Sequence, residues 1–187
     1  MRISGGTLRG RTITAPRGET TRPTSDFLRQ VAFNILGERI RGVRLLDLYA
    51  GSGAFGLEAL SRGASRTTFV EKNPKALAAL RANLTALHLA DRGQVVNRSV
   101  EMAVRELAQA GERYDLVFLD PPYTAQAAAP TLEALASGVV LSENALVLVQ
   151  AFHKAPLPER IGCLLQASRR KHGESCLSLY AREPVCL

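Results

Sequence analysis

Residues 43–60 read VRLLDLYAGSGAFGLEAL. An apolar run of strand length, Val43 to Tyr49, passes at once into the turn Ala50-Gly51-Ser52-Gly53-Ala54-Phe55-Gly56. The helix-forming Leu57-Glu58-Ala59-Leu60 follows, so the order is strand, glycine turn, helix. Further along, Thr67–Glu71 reads as a second strand leading into an alanine-rich helix from about Pro74 to Leu87. Val95-Val96 suggests a third strand, and a helix follows around 99–110. The strand Tyr114–Leu119 then ends in Asp120-Pro121-Pro122-Tyr123, with a helix near 125–137 and a strand over Ala145–Gln150 behind it. Weaker strand candidates lie near 160–168 and 175–182. Before the opening stretch, Phe27, Leu28, Val31, Ala32, Ile35 and Leu36 recur at helical spacing, with Thr24 or Ser25 as N-cap and Gly37 or Gly42 as terminator. Strands alternating with helices predict an α/β fold, a mostly parallel sheet with helices on both faces. Ligands of such sheets bind beyond the C-terminal strand ends, and Gly51–Gly56, Glu71 and Asp120–Tyr123 all fall there.

Length and composition narrow the class. The 187 residues, 46% of them apolar, suffice for one substantial core, so residues 1–187 are expected to form a single domain: a basic arm or hairpin over 1–24 and a catalytic core over 25–187. Twenty-four Lys and Arg against 17 Asp and Glu leave a formal charge of +7, which favours a polyanionic partner. Five arginines, Arg2, Arg9, Arg11, Arg17 and Arg22, crowd the glycine-rich start, a composition able to follow a phosphate backbone. Cys163, Cys176 and Cys186 are odd in number and far apart, which argues against a disulfide framework or a metal knuckle. The opening MRISGGTLRGR lacks an apolar signal core, and no apolar run reaches the ~18 residues of a membrane span. A soluble, cytoplasmic protein without membrane contact or metal is expected.

Gly51-x-Gly53-x-x-Gly56 matches the dinucleotide fingerprint, and Glu71 stands where an acidic group accepts from ribose hydroxyls. The glycines alone do not separate one nucleotide-like cofactor from another, because they serve tight turning and close approach in all of them. Asp47, near the exit of the first strand, tilts the choice. A carboxylate there suits a cationic amino-acid moiety, met through a water or a backbone amide, and repels a pyrophosphate.

Asp120-Pro121-Pro122-Tyr123 carries the reaction. An exocyclic amine on an aromatic base is a weak nucleophile because its lone pair is delocalised into the ring. A carboxylate and a backbone carbonyl that accept its two N–H protons orient it and favour the pyramidal form that attacks an electrophilic methyl. Asp120 and the Pro121 carbonyl suit these tasks. Pro122 stiffens the turn, and Tyr123 offers a face on which a base stacks. The plainer alternative is a turn with an N-cap aspartate, which leaves the proline pair and the aromatic without a purpose.

With AGSGAFG and DPPY on one domain, the chain resembles the class I methyltransferases that use S-adenosylmethionine. MRISGGTLRGR, TRPTSDFLRQVAFNIL, LDLYAGSGAFGLEALSRGA and FLDPPY together resemble the bacterial family that methylates the 2-amino group of one guanine of 16S ribosomal RNA, numbered 966. The resemblance implies a Rossmann-like, seven-stranded sheet with the last strand antiparallel, S-adenosylmethionine as cofactor and a substrate on an assembling small ribosomal subunit. By position it implies that Asp47, Gly51 and Gly53 line the methionine end, that Tyr49 and Ser52 also bind the cofactor, and that Glu71 holds the ribose. Asn73, Ser99 and Val100 are implied near the adenine, and Asp120 lies between cofactor and substrate. Asp120, Pro121, Pro122 and Tyr123 are the implied catalytic set. Arg22, Pro23 and Thr24 match the family's pre-helix signature, which is implied to close over the cofactor or the RNA, and with Arg2, Arg9 and Arg11 they are the expected RNA contacts. Gln150, where many members have glutamate, and Gln30, after Arg29, depart from the pattern.

His88, His153 and His172 are scattered and do not suggest a metal site. Leu77, Leu80, Leu84 and Leu87 form a helical stripe best read as core. Arg169, Arg170 and Lys171 read first as a solvated charged face. The competing functions are a DNA or RNA adenine 6-amino methyltransferase, a nicotinamide oxidoreductase, and a non-catalytic RNA-binding assembly factor. The adenine enzymes commonly need an added recognition domain for which a monomer of this length has little room, and the oxidoreductase leaves Asp120–Tyr123 unexplained.

Overall fold

The computed structural model describes residues 1–15, 26–121, 128–155 and 157–183. It divides into two compact units, Met1–Ser99 and Val100–Leu187.

The first unit opens with a hairpin. Arg2 pairs with Thr12, Ile3 N–H donates to the Arg11 carbonyl at 3.0 Å, and Ile3 and Ile13 are each 1% exposed. Helix α1 (Asp26–Leu36) ends where Gly37 takes φ 55°. Strands β1 (Arg44–Leu48), β2 (Arg66–Glu71) and β3 (Gly93–Asn97) are parallel, in the order β3-β2-β1. β1 is buried from Leu45 to Leu48, Asp47 included, as befits a strand covered on both sides. Helix α2 (Ala54–Ser61) follows the glycine turn. Helix α3 (Pro74–Ala86) has Asn73 as N-cap and Pro74 in its first turn. The leucines 77, 80, 84 and 87 are at most 4% exposed, so the stripe is core.

The buried face of α1 differs from the expected one. Phe27 is 61% exposed, while Leu28, Arg29, Ala32, Phe33 and Leu36 face inward. Arg29, fully buried, turns the helix. Its Nε donates to Glu58 Oε2 of α2 at 2.5 Å and its Nη2 to the Arg2 carbonyl at 2.5 Å. Glu58, also fully buried, accepts from the Ser4 hydroxyl and from Arg62 Nη2 at 2.8 Å. Burial alone would push the Glu58 carboxyl up, but the Ser4 hydroxyl and the Arg29 and Arg62 guanidiniums more than offset it, leaving it below its ordinary value. Thr7 N–H reaches the Ser61 carbonyl and Leu8 N–H the Ser61 hydroxyl, so the hairpin is fastened to α2 along its C-terminal half.

The second unit comprises α4 (Val100–Gln109), β4 (Tyr114–Leu119), α5 (Ala128–Ala136) and strands β5 (Leu141–Phe152), β6 (Arg160–Ile161), β7 (Leu164–His172) and β8 (Ser175–Arg182). β4 and β5 are parallel, and β8 is antiparallel to both β5 and β7. The final strand is thus antiparallel as expected, but the described strands number eight, not seven. The extra one is β6: Gly162, at φ 51°, turns the chain and splits the strand expected over 160–168 into a short hairpin with β7.

Candidate active site

On the first unit three strand ends share one edge. Leu48 lies opposite Val70 and Glu71 opposite Asn97, so Tyr49–Gly53, Glu71–Asn73 and Ser99 all follow the C-terminal ends of their strands. The turn is closed by the Gly53 N–H donating to the Ala50 carbonyl at 2.8 Å. Tyr49, Gly51 and Gly53 have φ of 62°, 57° and 85°. At Tyr49, a non-glycine, that conformation is strained in the way that collects at functional sites.

The three glycines serve different ends. A Cβ on Gly53 would stand 2.4 Å from Leu80 Cδ1, and one on Gly56 2.3 Å from Phe69 Cε1; both are packing glycines. A Cβ on Gly51 would meet nothing within 4 Å. In a dinucleotide fold the second glycine admits the pyrophosphate to the backbone. Here Leu80 and Leu57 fill that position, and the open direction belongs to Gly51.

The helix end is also taken. Asp47, 1% exposed, accepts from the Gly56 amide at 3.0 Å, so it supplies α2 with the capping oxygen that its N-cap, Gly53, cannot. Its carboxylate therefore sits at the site where a helix N-terminus would otherwise draw a phosphate. Glu71 is aimed by the backbone: Oε2 accepts from Gly51 N–H at 2.8 Å, and Oε1 from the amides of Lys72 and Asn73, both at 2.8 Å. Three donors leave room for about one more among a carboxylate's ~four lone-pair directions. These residues fit a nucleoside cofactor without a phosphate and with a cationic end.

Several expected contacts carry local duties as well. The Asn73 side chain accepts from Lys75 N–H at 2.8 Å and Ala76 N–H at 3.2 Å as the cap of α3. Ser52 is 8% exposed, and its carbonyl accepts from Asn83 Nδ2 at 3.0 Å. Asn83 also binds both backbone groups of Thr14, tying hairpin, α3 and glycine turn together. The sequence reading missed it; an asparagine among the leucines of α3 was the available sign. Arg2, Arg9 and Arg11 are exposed on the hairpin, and Arg11 Nη2 reaches the Ala86 carbonyl at 2.9 Å.

On the second unit, Asp120, partly buried, and Pro121, buried, follow β4. Val100, 7% exposed, opens α4. Pro122, Tyr123, Arg22, Pro23 and Thr24 lie outside the described residues. Among the described residues no group of three His, Cys, Asp or Glu is gathered for a metal, and no helix is long and apolar enough to cross a membrane.

A family model described as Conserved hypothetical protein 95 matches residues 1–181. Ribosomal RNA small subunit methyltransferase D of Escherichia coli K12 is 36% identical over 183 residues, 98% of this chain and 90% of that protein. The chain belongs to this methyltransferase D family. The solved structure of the Escherichia coli yhhF protein, 36% identical, superposes with a TM-score of 0.85 and covers 98% of each chain. A Thermus thermophilus 16S rRNA N2 G1207 methyltransferase, solved with AdoMet and guanosine, shares the fold at 24% identity with a TM-score of 0.66, over 89% of this chain and 44% of that one. For the methyltransferase D family the fold is therefore the expected α/β, Rossmann-like class I methyltransferase.

Proposed function

We propose that the chain is an S-adenosylmethionine-dependent methyltransferase that modifies the exocyclic 2-amino group of a guanine in 16S ribosomal RNA. The observation that carries the cofactor half is the pairing of Asp47 with the Gly56 amide, which gives the helix end a protein carboxylate in place of a ligand phosphate. When bound, S-adenosylmethionine supplies a methyl group activated by a sulfonium. Gly51 presents an open backbone to the methionine end, Glu71 receives a ribose hydroxyl, and Asn73, Ser99 and Val100 border the adenine. Tyr49, Ser52 and Gly53 shape the turn.

The Asp120 carboxylate and the Pro121 carbonyl each accept an N–H of the guanine amine, restoring density to its nitrogen. Pro122 stiffens their turn and Tyr123 stacks on the splayed base. After transfer the nitrogen is acidic enough to release its proton to Asp120 or water, so no strong base is needed. Arg2, Arg9, Arg11, Arg22, Pro23 and Thr24 hold the RNA. The chain works as a single domain, a cytoplasmic monomer acting on an assembling small subunit.

Tritiated methyl transfer to ribosomal RNA tests this reading, with S-adenosylhomocysteine titration as the control for cofactor binding. Asp120→Ala retains S-adenosylhomocysteine binding while transfer falls by about two orders of magnitude or more. Near-normal turnover would remove Asp120 from the mechanism, and methyl incorporation elsewhere than guanine N2 would overturn the proposed product.

A further inference from the structure

Gln150, on β5, is 2% exposed, and its Oε1 has no hydrogen-bond partner among the described residues. A buried amide carbonyl that gives up water without gaining a donor calls for an explanation. Its place in the sheet supplies one. β4 and β5 are parallel, with Phe118 opposite Leu148 and Leu119 opposite Val149. One step on, Asp120 follows the C-terminal end of β4, and Gln150 lies beside it in β5, two residues before that strand ends at Phe152. Side chains alternate along β5, so Gln150 shares the face of Leu148, and carrying the alternation of β4 one residue past its end sets Asp120 on the matching face of Phe118.

We propose that Gln150 is a specificity-determining residue that accepts the N1–H of the target guanine through Oε1. This rests on the guanine-N2 reading above and extends it. Guanine presents N1–H and N2–H as neighbouring donors on one edge, and the second unit offers two neighbouring acceptors: the carboxylate of Asp120 for the amine and Oε1 of Gln150 for the ring nitrogen. Adenine presents an acceptor at N1 beside its exocyclic amine. Against Gln150 Oε1 it would set lone pair against lone pair, and the amide would have to turn over to offer Nε2–H instead, so a turn chemistry that serves either amine is biased toward guanine.

The test uses ribosomal RNA carrying either guanosine or 2-aminopurine riboside at the methylated position. The analogue keeps the 2-amino group, replaces N1–H by a lone pair and the 6-carbonyl by C–H, and the Gln150 variants separate the first change from the second. Wild type favours guanosine in kcat/KM by about tenfold or more, the size of one lost base-edge hydrogen bond. Gln150→Leu lowers kcat/KM for guanosine and brings the two substrates within about threefold of one another, with S-adenosylhomocysteine binding unchanged and the thermal midpoint kept or raised; Gln150→Glu, which keeps an acceptor, restores the preference. If Gln150→Leu slows both substrates equally, or if Gln150→Glu folds and loses the preference, the assignment of Gln150 is overturned while the parent reading stands. If wild type transfers no methyl to guanine N2, the parent reading fails, and this one with it.

Discussion

Replacing Gly51 and Gly53 in turn by alanine separates ligand space from packing space within one turn. Both residues are left-handed, at φ 57° and 85°, so each alanine carries a backbone cost of about 1–2 kcal/mol. At Gly51 the new methyl meets no atom within 4 Å, and nothing is added to that cost. At Gly53 the methyl would lie 2.4 Å from Leu80 Cδ1 and 3.3 Å from Leu57 Cδ1, two buried side chains with little freedom to yield. Overpacking adds about 1–3 kcal/mol, for a total of about 2–5 kcal/mol. For a chain of this size 1 kcal/mol moves Tm by about 2–4 °C, so Gly51→Ala lowers Tm by roughly 2–8 °C and Gly53→Ala by roughly 4–20 °C. Cofactor affinity goes the other way. The Gly51 methyl projects into the space proposed above for the methionine end, so the Kd for S-adenosylhomocysteine, by isothermal titration, rises about tenfold or more. Gly53→Ala, where folded, shows the smaller change. An unaltered Kd in Gly51→Ala would refute the cradle, and a Gly53→Ala protein as stable as Gly51→Ala would refute the packing argument.

Two further outcomes follow from the first unit. Glu58→Gln leaves the buried Arg29 only the half-exposed Asp26, at 3.0 Å, as counter-ion and costs up to about 3–5 kcal/mol in urea unfolding. Because the folded carboxyl of Glu58 lies below its ordinary value, the stability it provides is complete above the unfolded carboxylate range and is lost as pH falls through the folded value. Wild type therefore loses stability in acid more steeply than Glu58→Gln, and equal acid slopes would show that the ion pair contributes nothing. The combined Arg2, Arg9 and Arg11→Ala variant reduces the slope of log affinity against log salt for ribosomal RNA by about 0.7–0.9 per lost phosphate contact, roughly 2–3 in all. An unchanged slope would take the hairpin off the RNA path.

The strand, glycine turn and helix of residues 43–60 were legible because local rules write them: a mostly apolar run, glycines where φ turns positive, and a helix former behind. The same holds for Pro74 at the head of α3 and for the aspartate at the end of β4. What escaped depends on contacts between residues far apart in the chain. Periodicity assigned α1 its apolar stripe but could not show that Arg29 would be buried, since its partner Glu58 is 29 positions away and lies on another helix. The fingerprint spacing likewise treats its glycines alike, whereas Leu80, from α3, decides that Gly53 is filled and Gly51 is open. At Gly162 the residue marked a break, but only the pairing of Arg160 with Leu165 shows that the break makes an eighth strand.

Helix α2 joins the two halves of the first unit's chemistry. Its N-terminal turn is held by Asp47 through Gly56, and that turn follows directly from the open backbone of Gly51. Its C-terminal half is held by the hairpin through Ser4, Thr7 and Leu8 on Glu58 and Ser61, and the same hairpin displays Arg2, Arg9 and Arg11. Eight residues of helix span about 12 Å, short enough to behave as one rigid strut. Arg29 closes the arrangement, because it binds Glu58 and the Arg2 carbonyl with one guanidinium. Burying that ion pair is not by itself a route to greater stability, since well-packed apolar residues often serve as well. Its merit here is geometric: a forked donor fixes the register of hairpin against helix, and so the distance from the exposed arginines to the cofactor turn, where an apolar contact would let the two slide.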